Sequence, residues 1–338
     1  GHPQEIRATP MTDTTPERIV VLGANGLLGR HFCEEAQRRS VPLLAADLAP
    51  SFAGTLGGGD DYLQVDLGER GALDGKIASS DWIINLAGAK RSVKRGSTGI
   101  GQYLVDMLRI QTEALHSAFS ANVERFLLVG SINQYPDIAV RDEDSVWEGR
   151  PKQNDWMPGI QKRMGEVQAA AYFEDTGWDA VRIVRLANIF GPYDNFSEDA
   201  HLIPALIYRA VHHPEHVEVF GDGANVRDFL YAPDAAYWLF EAVTSAPPLT
   251  PINIGSGSGV RVDEVVQAVQ SSVERLLGCR VETVWQASPH DQVDAARVLA
   301  IQRAVDLLGY NERTTFLEGL GKTVDWYVRR EKHIHGAR

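Results

Sequence analysis

VVLGANGLLGR, residues 20–30, decides how the rest of the chain is read. A short apolar run, Arg18–Leu22, ends in Gly23. The spacing Gly23-x-x-Gly26-x-x-Gly29 then leads straight into the helix pattern of Leu27–Arg38. An unbroken apolar run closed by glycine is the pattern of a strand covered on both faces, as in a parallel sheet. Each glycine has its own task. Gly23 permits the tight turn, Gly26 lets backbone approach a pyrophosphate, and Gly29 lets helix and strand pack closely. Amides at the start of the helix then face the anion. Gly23, Asn25, Gly26, Leu27, Leu28 and Gly29 are therefore expected to form a dinucleotide cradle.

Outward from this loop, strands and helices alternate. Strands are expected at Val41–Ala46, Asp60–Leu67, Trp82–Leu86, Phe126–Val129 and Ala180–Arg185, with long helices over Gln102–Ala121 and Ile160–Thr176. Alternation of this kind means a doubly wound parallel sheet. Asp47 closes the second strand, 18 residues after Gly29, where a carboxylate would bond both hydroxyls of a ribose. A carboxylate there repels a 2′-phosphate, which favours NAD over NADP, although Arg30 argues the other way. Asp66 would bond an adenine amino group or simply cap its strand end. Leu67, Leu86 and Ala87, at later strand ends, complete the expected cofactor contacts.

After Gly191-Pro192 the rhythm changes. Helices are expected at Leu202–Val211, Val262–Leu277 and Thr315–Arg330, with short strands at Val217–Phe220, Ile252–Ile254 and Val281–Val284. The expected architecture is an α/β, Rossmann-type doubly wound parallel sheet with a smaller, discontinuous α/β C-terminal substrate lobe. Residues 1–16 are expected to be a tag or disordered. Residues 17–190 would form the NAD-binding domain, with 228–250 returning to it. Residues 191–227 and 251–332 would form the lobe.

Bulk properties narrow the partners. The 338 residues are 44% hydrophobic and 23% charged, with a formal net charge of −12. That charge argues against nucleic acid and anionic membranes, which reward basic surfaces. An anionic small ligand needs only a few local arginines or helix N-termini. Cys33 and Cys279, the two cysteines, fit a reducing cytoplasm better than a disulfide framework. No apolar run of about 18 residues suggests a membrane span. The polar start, GHPQEIRATPMTDTTPE, does not read as a signal peptide. Met11 is a candidate natural start, with residues 1–10 then a tag remnant. His212, His213 and His216 are closely spaced but lack further ligands, so no metal is expected. His333 and His335 read as a tail, and Asp142, Glu143 and Asp144 as a solvated loop.

Further segments follow in a telling order: NLAGAK (85–90), VGSINQYP (129–136), Lys162 with Glu166, RLANIFGP (185–192), VFGDGANVRDFLY (219–231) and INIGSGSG (252–259). Together with the glycine loop they resemble the extended short-chain dehydrogenase/reductases, in the nucleotide-sugar epimerase/dehydratase branch. Within it, GPYDNFSEDAHLIPALIYR (191–209) is most similar to the GDP-L-fucose synthases. The resemblance implies a catalytic serine at Ser131, a lysine at Lys162 and an acid/base histidine at His201. It implies substrate contacts at Asn188, Arg209 and Arg227, with Arg297 in a lysine's place. Lys90 would reach substrate or stay solvated. It also implies a homodimer through the helices near 102–121 and 160–176, where QAAAYF (168–173) allows close approach.

Two positions depart from that pattern. The tyrosine expected four residues before Lys162 is Pro158, or Met157 if the gap slides by one, and the acid/base cysteine two residues after the serine is Asn133. In the family a tyrosinate takes the hydroxyl proton as hydride leaves, and the neighbouring lysine lowers its pKa. Lys162 itself, His201, Tyr193 and Ser131 through a water are the candidate replacements; His201 is the best placed by resemblance, and Lys162 has the alternative of only holding a ribose. The leading expectation is an NAD-dependent enzyme on a nucleotide-diphosphate sugar: an epimerase, a dehydratase, or a reductase of a 4-keto sugar. The alternatives are a non-catalytic binder of NAD or nucleotide sugar, and an enzyme of this fold on another substrate.

Overall fold

The structure is a computed structural model that describes residues 15–88, 99–138, 140–152, 156–287 and 296–336. Its first part runs β1 (Arg18–Leu22), α1 (Leu27–Arg38), β2 (Leu43–Asp47), β3 (Asp61–Gln64), β4 (Asp81–Asn85), α2 (Ile100–Ser120), β5 (Arg125–Ser131), α3 (Trp156–Thr176) and β6 (Val181–Leu186). Next come β7 (Asn188–Phe190), α4 (Leu202–His212), β8 (Val217–Phe220), β9 (Val226–Arg227), β10 (Phe229–Tyr231) and α5 (Ala232–Ser245). The chain ends with β11 (Pro251–Ile254), β12 (Val260–Arg261), α6 (Val262–Leu277), β13 (Thr283–Gln286), α7 (Gln302–Leu308) and α8 (Phe316–Gly336).

Seven strands form one parallel sheet in the order β11-β6-β5-β4-β1-β2-β3. Its strands carry apolar side chains to both faces, as their unbroken runs require. Ile19 and Val21 enter a core shared with α1 and α5, while Val20 and Leu22 enter the opposite core with α2 and α3. The order reverses between β1 and β4, so the C-terminal ends of these strands open a crevice, the usual ligand position of such sheets. A third core lies in the C-terminal lobe, where Ile207 of α4, Val265 and Val269 of α6 and Val324 and Tyr327 of α8 pack together.

Three features differ from the sequence pattern. Ile252–Ile254 reads as part of the lobe, yet β11 is the seventh strand of the main sheet, paired with β6. Two isoleucines around Asn253 carry no mark of the sheet they join. The acidic run at 142–144 reads as solvated, yet Glu143 is buried, accepts the Asn253 amide at 2.9 Å and lies near Arg303. Finally, α3 starts at Trp156, which places Pro158 in its first turn. A proline is tolerated there because the first amides of a helix have no partner within it.

Candidate active site

The β1–α1 turn is built so that only glycine fits. Gly23 has φ +78°, and a Cβ there would stand 2.7 Å from the Ala87 Cα and 2.8 Å from the Leu86 carbonyl carbon. A Cβ on Gly29 would collide with the Gly23 carbonyl oxygen. Leu86 and Ala87 thus lie directly against the turn, and the Leu86 amide bonds the Leu22 carbonyl at 3.0 Å. No side chain caps α1, so the Leu27 and Leu28 amides that begin it suit an anion. Asp47 accepts the Asn25 amide at 3.0 Å through one oxygen and the Ala49 amide at 3.1 Å through the other. Each oxygen keeps a second lone pair for a ribose hydroxyl. The Asn25 side chain is tied to the segment after β2, donating to Ser51 and accepting from Ala53. Arg30 lies 3.7 Å from the Tyr193 ring centroid and donates to the Ala53 carbonyl. Asp66 accepts the Gly68 amide at 2.8 Å, which is a strand-end cap, and Leu67 is buried under the same turn.

At the end of β5, Ser131 begins a 3-10 turn over Ile132–Gln134. Its hydroxyl accepts the Asn133 amide at 3.3 Å, and its own amide donates to the Gln134 side chain at 2.8 Å. Strand β4 ends opposite Leu128, so β5 is open on that flank from Val129 onward. The Lys162 Nζ donates to the Val129 carbonyl at 2.8 Å. Burial lowers the pKa of Lys162 to about 8. A Cβ on Gly159 would meet the Asn133 carbonyl oxygen, so the start of α3 is docked tightly on the serine's turn.

A buried network that the sequence does not announce holds this arrangement. Glu166, one turn beyond Lys162, accepts from Gln134 at 2.7 Å and from Arg185 Nε at 2.9 Å and Nη2 at 2.7 Å. Arg185 also donates to the Tyr135 hydroxyl and the Glu143 carbonyl. Burial works against its charge, and the bonds to Glu166 more than offset it, so its pKa is raised. The sequence marks Glu166 and Arg185 separately, and the charged residue inside a strand is the hint that they pair.

The lobe residues divide. Arg297 donates to the Asn133 side chain at 3.0 Å, and its backbone bridges that of Arg227, so two guanidinium-bearing residues sit side by side next to the serine's turn. Asn188 donates to the Asp228 carbonyl at 2.8 Å. Arg209 is bonded to the carbonyls of Glu218 and Glu198, so it pins α4 to β8 and the preceding loop. His201 is exposed at the start of α4. The nearby Asp194 has its pKa raised by burial, partly opposed by the Asn195 amide and the charge of His201. Tyr193 donates to Glu34 at 2.8 Å and has φ +72°. Phe220 and Trp285, on the paired strands β8 and β13, expose aromatic surface and were not singled out in the sequence. Lys90 lies outside the described residues. Among the described residues, no helix is long and apolar enough to cross a membrane.

A parallel sheet, a glycine cradle at its switch point, and a serine and lysine at the end of the neighbouring strand define an extended short-chain dehydrogenase/reductase. More narrowly, the chain belongs to the NAD dependent epimerase/dehydratase family, whose model matches residues 19–255. It is similar to GDP-L-fucose synthase 1 of Arabidopsis thaliana, 26% identical over 92% of this chain and 93% of that protein. Solved structures share the fold. A GDP-L-fucose synthetase of Naegleria fowleri bound to NADP has a TM-score of 0.79 at 21% identity, covering 96% of this chain and 98% of that one. The dTDP-glucose 4,6-dehydratase of Streptomyces venezuelae, with NAD and TYD bound, has a TM-score of 0.78 at 22% identity, covering 94% and 98%.

Proposed function

We propose that the protein is an NAD-dependent epimerase/dehydratase-type enzyme acting on a nucleotide-diphosphate sugar with an atypical acid/base. The observation that carries this reading is the Arg297–Asn133 bond. It joins a cationic strand of the lobe to the turn that begins at Ser131, beside a glycine cradle that fits a dinucleotide. A nicotinamide dinucleotide bound there supplies a hydride acceptor and donor. The amides of Leu27 and Leu28 would hold its pyrophosphate, Asp47 its adenosine ribose, and Lys162 its nicotinamide ribose. Engagement of Arg30 by Tyr193 and Ala53, with the Asp47 carboxylate, supports NAD over NADP. Arg227 and Arg297 suit the sugar's diphosphate, since guanidinium forks match phosphate oxygens. Ser131 would bond the sugar hydroxyl or ketone, with Asn188 and His201 as further substrate contacts.

Two 21-residue helices, α2 and α3, leave Val105, Met164, Val167 and Phe173 exposed, which supports a homodimer across them. Two free thiols suit a cytoplasmic setting. The test is mass spectrometry of nucleotide sugars, 4-keto sugars included, incubated with the protein and NAD in heavy water. Loss of water, gain of deuterium or a reduced product supports the reading. An unchanged panel with tight nucleotide-sugar binding favours a second one, a binding protein, for which Pro158 at the tyrosine's place is the specific observation. Activity that appears only in Pro158→Tyr would point the same way.

A further inference from the structure

Oxidising a sugar hydroxyl needs a base for the O–H proton while the C–H hydrogen leaves as hydride. Nearby phenols are committed elsewhere. Tyr135 donates to Asn253 at 2.6 Å inside the protein, and burial pushes its pKa up to about 12. Tyr193 donates to Glu34, with its pKa raised by burial and by that carboxylate. His201 is exposed on α4. Lys162 is differently placed. It lies one helical turn beyond Pro158 on the same face of α3, and its nitrogen is 2.8 Å from the Val129 carbonyl, two residues before Ser131 on β5.

We propose that Lys162, as its free amine, is the proton acceptor of the reaction, in the role a tyrosinate would fill. This rests on the nucleotide-sugar reading above. The amine lone pair takes the hydroxyl proton and becomes ammonium. The O–H electron pair becomes the second bond of the carbonyl. The C–H pair departs with its hydrogen as hydride to the oxidised nicotinamide, so the sugar carbon is oxidised and the dinucleotide reduced. In the return step the ammonium protonates the oxygen as hydride comes back.

The surroundings favour a neutral amine. Burial brings the Lys162 pKa to about 8, so a share of it is unprotonated near neutrality. The charged neighbours along α3 are engaged with other partners: Glu166 with Arg185, and Arg163 with the Gln134 and Gly149 carbonyls. On α2, Asp106 accepts from Gln102, and Glu113 accepts the Gly71 and Ala72 amides. A neighbouring tyrosinate would hold the lysine in its charged form. Proline at 158 removes that restraint.

The test uses the NAD-loaded full chain. Lys162→Arg keeps a cationic donor that does not release its proton. The expected result, read at saturating NAD, is sugar oxidation slowed about 10²–10⁴-fold. The wild-type rate should rise with pH through a midpoint near 8. Competitive acylation of Lys162, read by peptide mass spectrometry across pH, should give the same midpoint without turnover. A labelling midpoint at the ordinary lysine value of about 10.4 overturns the proposal. So does full turnover in Lys162→Arg, or a pH profile abolished by His201→Asn instead. A low labelling midpoint with no turnover of any nucleotide sugar refutes the function reading first, and the lysine's role falls with it.

Discussion

Glu166→Gln should be among the most destabilising single substitutions in the chain. Arg185 is fully buried, and the Glu166 carboxylate grips its Nε at 2.9 Å and its Nη2 at 2.7 Å. Removing one member of such a pair strands a buried charge, at a cost of about 3–5 kcal/mol. Glutamine keeps one acceptor oxygen but turns an amide donor toward the guanidinium, so the loss should fall within that range. Total stabilities of about 5–15 kcal/mol make this a large fraction. The same change releases the Gln134 side chain, which orients the Ser131 amide. Urea unfolding followed by tryptophan fluorescence measures the loss, with an unchanged slope expected. A loss below about 1 kcal/mol, the size of an exposed ion pair, would refute the reasoning.

Other outcomes follow from the same geometry. Gly23→Ala should cost about 1–3 kcal/mol in thermal or urea unfolding, because φ is +78° and Ala87 is in contact. Asp47→Ala should weaken NAD binding by about 10–100-fold in calorimetry, the worth of charge-assisted bonds, while narrowing the gap to NADP. Arg297→Ala should raise KM for a nucleotide sugar by about 10-fold or more, with NAD affinity unchanged. Lys162 in the ligand-free protein has a folded pKa below its unfolded one, so the folded state holds fewer protons between about 8 and 10.5. Stability from this group should therefore rise with pH across that window and be lost below it; Lys162→Met should flatten the rise in urea titrations.

Local chemistry was legible in the sequence, and long-range pairing was not. Elements β1, α1, β8 and α6 have the bounds their apolar patterns give, because each pattern records burial within one segment. The glycine loop reads directly because all three glycines serve one turn. Segment β11 does not, since two isoleucines around an asparagine fit any buried strand. Ser131, Asn133, Lys162 and Arg297 are each nameable from the chain. The Asn133–Arg297 bond spans 164 residues, and only the folded lobe brings the two together. Arg209 shows the opposite case. Its residue type suits a phosphate, but its fold neighbours are the carbonyls of Glu218 and Glu198.

The most direct measurement is a single-turnover mix of NAD-loaded protein with nucleotide sugars, followed by reduced-nicotinamide absorbance. The account predicts a transient rise and fall with at least one sugar, slowed strongly in Ser131→Ala and Lys162→Arg. Saturable nucleotide-sugar binding with no absorbance change at any pH would contradict it.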